Sequence, residues 1–439
     1  MRTLRHHLFA LLVLALVLAG CGRATPTAVP SSPTSEPTAT PEQVATAAPT
    51  DTPPPTDVPE PTELPSLESN VLTGALESYV EGMDCFPEKV TVDDATGFEV
   101  TYHGSYKVVT VPEAWAGADR AYTYVLYQRG TPPPDGFDDA TLIAVPVERV
   151  VSMSTSYLAQ LDLLGVVDTL VGADSVAYAS THSVVARAEA GEIIEVGYGS
   201  DVNVEQVIDL DPSIVLTYGL GDEWDSHPKL LEAGVTTVLS AEAREADPLS
   251  RAEWIKFIAL FYNREAQANE IFDAIVERYQ SLIDLAADVT ERPTVFLNAP
   301  WGDTWYMAGG QSYVAHLLRA AGADYLWSED TSPDALYLDF ETVYDQALDA
   351  EYWLHTSTWS TLDEALAMDE RFGDFAAFQS GQVYNNNLRT NPSGGNDYWE
   401  SGVINPDLML ADLIRIFHPE LLPDHDLVYY QQLAPLTQE

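Results

Sequence analysis

In 439 residues the chain carries 68 acidic side chains against 20 basic ones, a formal net charge of −48, and 2 cysteines. So negative a chain repels nucleic acid and anionic membrane surfaces, which excludes both as partners held by charge. The acidic residues are scattered and read as a solvating surface, while 9 Trp and 22 Tyr supply apolar area for a body large enough to hold two packed lobes.

Residues 1–20 read as an export signal. Arg2 and Arg5 make a basic start, Leu8 to Leu18 is an unbroken apolar run, and small residues close it. The run is too short to span a bilayer. Its ending, Leu18-Ala19-Gly20-Cys21, resembles the lipobox of bacterial lipoproteins. That resemblance implies cleavage before Cys21 and a lipid on its sulfur, the one covalent group expected. Buried acyl chains give ~0.8 kcal/mol of membrane affinity per CH₂. With Cys21 lipidated, Cys85 has no partner for a disulfide and is expected as a free, packed thiol, the alternative being a reactive one.

Residues 21–67 read as a disordered tether. Prolines, threonines and alanines fill them, with no aromatic residue. Such a segment cannot bury enough apolar area to offset its ordering entropy. No later stretch is long and apolar enough to cross a membrane. The expected location is therefore the extracytoplasmic face of a bacterial cell membrane, with the body held there through the lipid.

Residues 68–145 read as a β-rich appendage. Phe98–Tyr102, Tyr106–Val111 and Tyr122–Tyr127 cluster β-formers, and Thr131-Pro-Pro-Pro-Asp-Gly136 is a turn. Residues 146–245 change to α/β texture. Arg149–Met153, Glu192–Val196 and Ile214–Thr217 read as strands, with helices over Tyr157–Leu164 and Val204–Leu210 between them. Residues 246–290 read as one long helix lying along two lobes, opened by Asp247-Pro248. Trp254, Phe261, Ala268, Ile275 and Leu282 recur every seven positions, and Glu265 interrupts the neighbouring apolar row. At ~1.5 Å per residue its length is roughly 50 Å. Residues 291–439 return to α/β, with strands over Thr294–Leu297 and Glu351–His355, a helix over Tyr313–Ala321 and a last one over Asp407–Phe417.

The two α/β regions repeat each other. Ser156-Tyr-Leu-Ala-Gln-Leu161 closing at Gly165 matches Ser312-Tyr-Val-Ala-His-Leu317 closing at Gly322. Glu205-Gln-Val207 before Asp211 matches Glu341-Thr-Val343 before Asp349. The expected fold is thus α/β: two Rossmann-like lobes joined by a long rigid helix, with a small N-terminal β-rich appendage. Ligands in such folds sit beyond the carboxyl ends of the strands and between domains.

Val150-Val-Ser-Met-Ser-Thr-Ser-Tyr157, Val171-Gly172, Val196-Gly-Tyr-Gly199, Asn203-Val-Glu205 and Asp211-Pro212, in this order, resemble the periplasmic iron-siderophore/vitamin B12-binding family over about residues 146–430. The resemblance implies non-covalent capture of a metal chelate (ferric siderophore, cobalamin or haem) and no catalysis. It implies delivery to an ABC permease dimer with a cytoplasmic ATPase. Family members present pocket aromatics where this chain has Tyr198, Tyr218, Tyr306 and Tyr337, and relatives meet permease arginines with glutamates placed as Glu205 and Glu341 are. The alternative for each tyrosine is core packing, and for each glutamate a favourable interaction with the helix dipole.

Two further segments read as non-core and ligand-facing. Pro300-Trp-Gly-Asp-Thr-Trp305 holds Trp301 and Trp305 in a loop. Asn385 to Trp399 is polar and flexible in composition, with Arg389 and Trp399 as candidate contacts. The alternative is an ordered surface loop. A naked metal ion would need three or four convergent ligands. The histidines show no close pair beyond His6-His7, so no metal site is assigned, although an axial His or Tyr on haem stays open. Two other classes remain: an extracytoplasmic ligand sensor without transport, and a secreted carbohydrate-active enzyme, for which no carboxylate pair stands out.

Overall fold

The computed structural model describes residues 66–437 except residue 357. The export signal, Cys21 and nearly all of the tether lie outside the described residues.

Four strands open the described chain: β1 (Glu99–His103), β2 (Tyr106–Val111), β3 (Tyr122–Gln128) and β4 (Thr141–Val145), paired in that order. The first two pairings are antiparallel and β3–β4 is parallel. This sheet has no core of its own. Val109, Tyr124 and Leu126 share one apolar cluster with Val150 and Leu216 of the next sheet and with Phe257 and Phe261. The hydroxyl of Tyr124 accepts a hydrogen bond from the backbone N–H of Leu239 at 2.8 Å, tying the sheet to the first α/β lobe.

In that lobe β5 (Val150–Ser152), β6 (Leu170–Ala173), β7 (Ile194–Glu195), β8 (Ile214–Tyr218) and β9 (Thr237–Ser240) form a wholly parallel sheet in the order β7-β6-β5-β8-β9. The short apolar runs Val150-Val151 and Ile214-Val-Leu216 are buried throughout, as strands covered on both faces must be. Helices α1 (Ser156–Leu163), α2 (His182–Glu189), α3 (Val204–Asp209) and α4 (His227–Glu232) make the crossovers. Strand order reverses between β5 and β8, which is where open α/β sheets bind ligands.

The single 246–290 helix is not what forms. The segment breaks into α5 (Pro248–Ala252), α6 (Trp254–Leu260) and α7 (Glu265–Ala286). The break falls where the apolar row fails. Asn263 takes a left-handed φ of 56°, a conformation that Asn tolerates better than most residues. Lys107 from β2 fills the gap, donating to the Leu260 carbonyl at 2.6 Å and to Asn263 Oδ1 at 3.0 Å while pairing with the Glu265 carboxylate. Asp247 does cap the start, accepting from the N–H groups of Leu249 and Ser250. Helix α7 runs from one lobe to the other: Ala268, Phe272 and Ile275 sit in the first core, Tyr279 and Ala286 in the second.

The second lobe contains β10 (Thr294–Leu297), β11 (Pro300–Trp301), β12 (Thr304–Ala308), β13 (Asp324–Tyr325), β14 (Ala335–Leu338), β15 (Tyr352–Leu354), β16 (Val383–Asn385) and β17 (Gln431–Gln432). Its main sheet runs β13-β10-β15-β16-β17 and is parallel except at β17. A second sheet, β11-β12-β14, is antiparallel. Helices α8 (Tyr313–Ala320) and α9 (Phe340–Ala347) hold the repeated Ser312 and Glu341 positions. Both lobes are mixed α/β with a strand-order switch, as the repeat predicts. Cys85 is free and fully buried, and burial pushes its thiol up to about 11, so it is the packed thiol and not a reactive one.

Candidate functional site

Both sheets turn their carboxyl ends to one seam. The segment 174–181 follows β6 and the segment 386–400 follows β16, and these two meet. Buried Glu400 accepts from the N–H groups of Ser180 (2.8 Å) and Thr181 (2.7 Å) and from the Thr181 hydroxyl. Asn391 gives its amide to the carbonyls of Ala177 and Ala179.

Along this seam Tyr198 and Tyr218 are brought together. Tyr198 follows β7 and Tyr218 ends β8, strands separated by β6 and β5, roughly 14 Å apart at ordinary strand spacing. Their side chains close that distance: the Tyr218 hydroxyl donates to that of Tyr198 at 3.2 Å. The pair therefore spans the carboxyl edge of the sheet at its switch point. Both rings are half-buried, and burial raises both phenols. Asp174, immediately after β6, is buried near both. Burial pushes its carboxyl up to about 7, and its charge raises both tyrosines. Sequence reasoning missed Asp174, although a carboxylate directly after the Gly172-Ala173 strand end was its signal.

In the second lobe Tyr306 and Tyr337 are register partners on β12 and β14, with ring centroids 5.3 Å apart and edge to face. Tyr337 and Trp301 are exposed, the latter at a hairpin turn made by Gly302 at φ 60°. Trp305 overturns the expectation that 300–305 is a ligand-facing loop. The segment is the β11–β12 hairpin, and strand alternation turns Trp305 and Met307 inward. Trp305 is 0% exposed, packs against Phe296 and Trp353, and gives its indole N–H to the Leu297 carbonyl at 2.8 Å. It is core.

The 385–399 segment is also not the flexible loop its composition suggests. Asn385 and Asn387 donate to the Trp359 carbonyl, Asn396 to that of Asn386, and Asn391 ties the segment to the first lobe. Arg389 pairs with buried Asp397 at 3.0 Å. Trp399 is exposed and set edge to face on Tyr398 at 4.7 Å. A cavity of about 630 Å³ lies where 176–189 faces 389–397. Of the predicted contacts only Arg389 lines it, and it holds no Tyr, Trp or Phe. The tyrosine pairs are a separate feature.

Two residues at the second lobe's switch point, Asn298 after β10 and His355 after β15, take left-handed φ values of 63° and 60°. His355 is buried and bonded to the Tyr430 hydroxyl at 2.6 Å; burial lowers its imidazole to about 3, so it is neutral. Among the described residues no three His, Cys, Asp or Glu side chains converge to hold a metal ion.

Glu205 and Glu341 occupy the first turns of α3 and α9, and both are exposed. Neither is the helix cap. Asn203 and Asp339 accept the orphan N–H groups of Gln206 and Thr342. Among the described residues Glu341 pairs with Arg371, itself exposed, at 3.8 Å.

Comparison with known proteins bears on the family and the fold. A family model described as periplasmic binding protein matches residues 150–387, more than half of the chain. Two uncharacterized lipoproteins of Methanocaldococcus jannaschii are 26% and 28% identical, over 64% and 71% of this chain and 68% and 80% of their own lengths. A crystal structure of a periplasmic binding protein from Veillonella parvula superposes with a TM-score of 0.51 at 15% identity, covering 71% of this chain and 98% of that one.

Proposed function

The chain belongs to the periplasmic binding protein family, and we propose that within it the protein captures a bulky metal chelate between its lobes and delivers it to an ABC permease driven by a cytoplasmic ATPase. The chelate is a ferric siderophore, cobalamin or a haem-like macrocycle. The observation that carries this reading is the Tyr198–Tyr218 pair, which spans the carboxyl edge of the first sheet at its switch point. Two half-buried rings there offer a wide apolar face with hydroxyls at its centre, suited to a large planar or lobed ligand. Tyr306 and Tyr337 present a second aromatic pair on the other lobe. The protein is a binding protein and not an enzyme in this reading.

Glu205 and Glu341 serve as docking charges, one per lobe. Their exposure and the assignment of capping to Asn203 and Asp339 support that role. Cys21 carries the lipid that holds the protein at the extracytoplasmic face; the lipoprotein names of both archaeal relatives support it.

The test is direct. Protein purified from its native host should carry a visible absorption band, and haemin, ferrichrome and cyanocobalamin should be titrated against the ligand-free form. One of them should bind, and Tyr198→Ala or Tyr218→Ala should weaken it by ~1–3 kcal/mol, the scale of one large buried side chain. Full affinity in both variants would end the pocket reading, and a large stability loss beside it would assign the rings to the core.

A further inference from the structure

We propose that the N-terminal β-sheet is a positioning element for the ligand loop, acting through Trp115. The proposal rests on the reading that Tyr198 and Tyr218 face the chelate. Residues 66–149 fall outside the matched family region, so nothing in the family match assigns them a role.

Trp115 lies in the connection between β2 and β3. Its indole is seated on the loop that follows β8. A Cβ at Gly219 would lie 2.3 Å from the ring, and one at Gly221 would lie 2.4 Å from it. No real side chain is accommodated at such distances, so the ring holds position 219 to glycine, and at 221 it adds to a left-handed φ of 79° that already favours glycine. The same ring packs on His227 at 5.0 Å and on Tyr122 at 5.9 Å.

The Trp115 loop is itself held. The Glu113 carboxylate accepts from the N–H of Gly117 at 2.8 Å and pairs with Arg244 at 3.0 Å. The ring is thus presented from an ordered support.

The loop it braces governs both tyrosines. Gly219 directly follows Tyr218. Buried Asp225 accepts from the N–H groups of Leu220 (2.7 Å) and Gly221 (2.9 Å), closing the loop from within while Trp115 covers it from the appendage. Further along, the Trp224 carbonyl lies 2.9 Å from where a Cβ of Gly199 would be, next to Tyr198. One loop therefore touches the backbone at both members of the tyrosine pair. Withdrawing the ring frees the 219–221 backbone and, with it, the orientation of Tyr218. Trp115 is a positioning residue: it acts on the chelate through the loop.

The experiment uses the full chain and two readouts. Trp115→Ala should raise amide hydrogen exchange at Leu220 and Gly221 by about tenfold or more in ligand-free protein. It should weaken binding of whichever of haemin, ferrichrome or cyanocobalamin the unmodified protein takes up, and Trp115→Phe should recover most of both effects. Gly219→Ala probes the contact from the other side. Alone it should loosen the loop, and added to Trp115→Ala it should cost little more, because the clash is gone. Unchanged exchange in Trp115→Ala, or additive effects in the double variant, overturns the brace. Unchanged binding in Trp115→Ala where Tyr218→Ala weakens binding overturns its link to the chelate. Unchanged binding in both variants with raised exchange refutes the pocket reading instead, and the exchange result then still supports the brace.

Discussion

Tyr198, Tyr218 and Asp174 form the most unusual cluster at the residue scale, because a buried carboxyl that holds its proton to about 7 lies close enough to two phenols for its charge to raise both. An aspartate in the unfolded chain ionises near 3.9. Between those values the folded state binds more protons than the unfolded one. The stability that Asp174 contributes is therefore fully present below about pH 4 and is lost as pH rises toward 7. Asp174→Asn removes the dependence. Its unfolding free energy relative to the parent should rise with pH across this window, by up to about 1.4 kcal/mol per unit. Urea titrations at pH 4.5 and 7 check it, and a pH-independent difference would mean that the buried carboxyl is already ionised. Trp301 and Trp305 teach a related lesson. They are four residues apart in one aromatic motif, yet one is exposed and the other fully buried. Which of the two faces outward was decided by the Trp301–Thr304 register of the hairpin, and composition carries no register.

At the element scale the informative feature is the break between α6 and α7. The heptad spacing of Trp254, Phe261, Ala268 and Ile275 is real, and all four are buried, but it did not make one helix. Glu265 interrupts the apolar pattern of the sequence, and its partner lies 158 residues away in Lys107. Both side chains are fully buried, and Asn70 donates to the second carboxylate oxygen at 2.9 Å. The pair staples the N-terminal sheet to the interlobe segment. Lys107→Met leaves a buried carboxylate without its counter-charge and should cost about 3–5 kcal/mol in denaturant unfolding. Adding Glu265→Met should recover much of that loss, since apolar replacement of a whole buried pair is often near neutral. A double variant as unstable as the sum of two single ones would show that packing, and not charge, is what the site supplies.

For the whole molecule, the proposed docking role rests on two exposed glutamates at equivalent helix starts, one on each lobe. Charge pairs across an interface set orientation and association rate more than affinity. Glu205→Ala combined with Glu341→Ala should leave chelate binding unchanged and sharply reduce chelate-stimulated ATP hydrolysis by the reconstituted transporter; Lys at both positions should be worse. Normal stimulation by the double alanine variant would dispose of the docking role. The anchor is tested separately: Cys21→Ser should move the protein from the membrane fraction to the soluble one, because no acyl chain would hold it. Retention of the variant on membranes would remove the lipoprotein assignment.

The family, the α/β class and the repeat were legible in the sequence because they rest on local signals. Buried parallel strands read as short apolar runs, helix ends as Gly165 and Gly322, and the repeated Ser156/Ser312 and Glu205/Glu341 order as two related halves. Thr294–Leu297 was bounded correctly by such signals alone. What the tertiary structure decided were relations between distant residues. Tyr198 and Tyr218 meet only because the strand order sets β7 and β8 on either side of β6 and β5. Arg389 is engaged because Asp397 folds back onto it, and Asn385, Asn387, Asn391 and Asn396 give their amides to backbone carbonyls. The appendage shares its core with the first lobe, and Trp115 reaches Gly219 across more than a hundred residues. Propensity and spacing report what a segment can form with itself, whereas burial, register and hydrogen-bond partners are settled by whichever distant surface the segment is packed against.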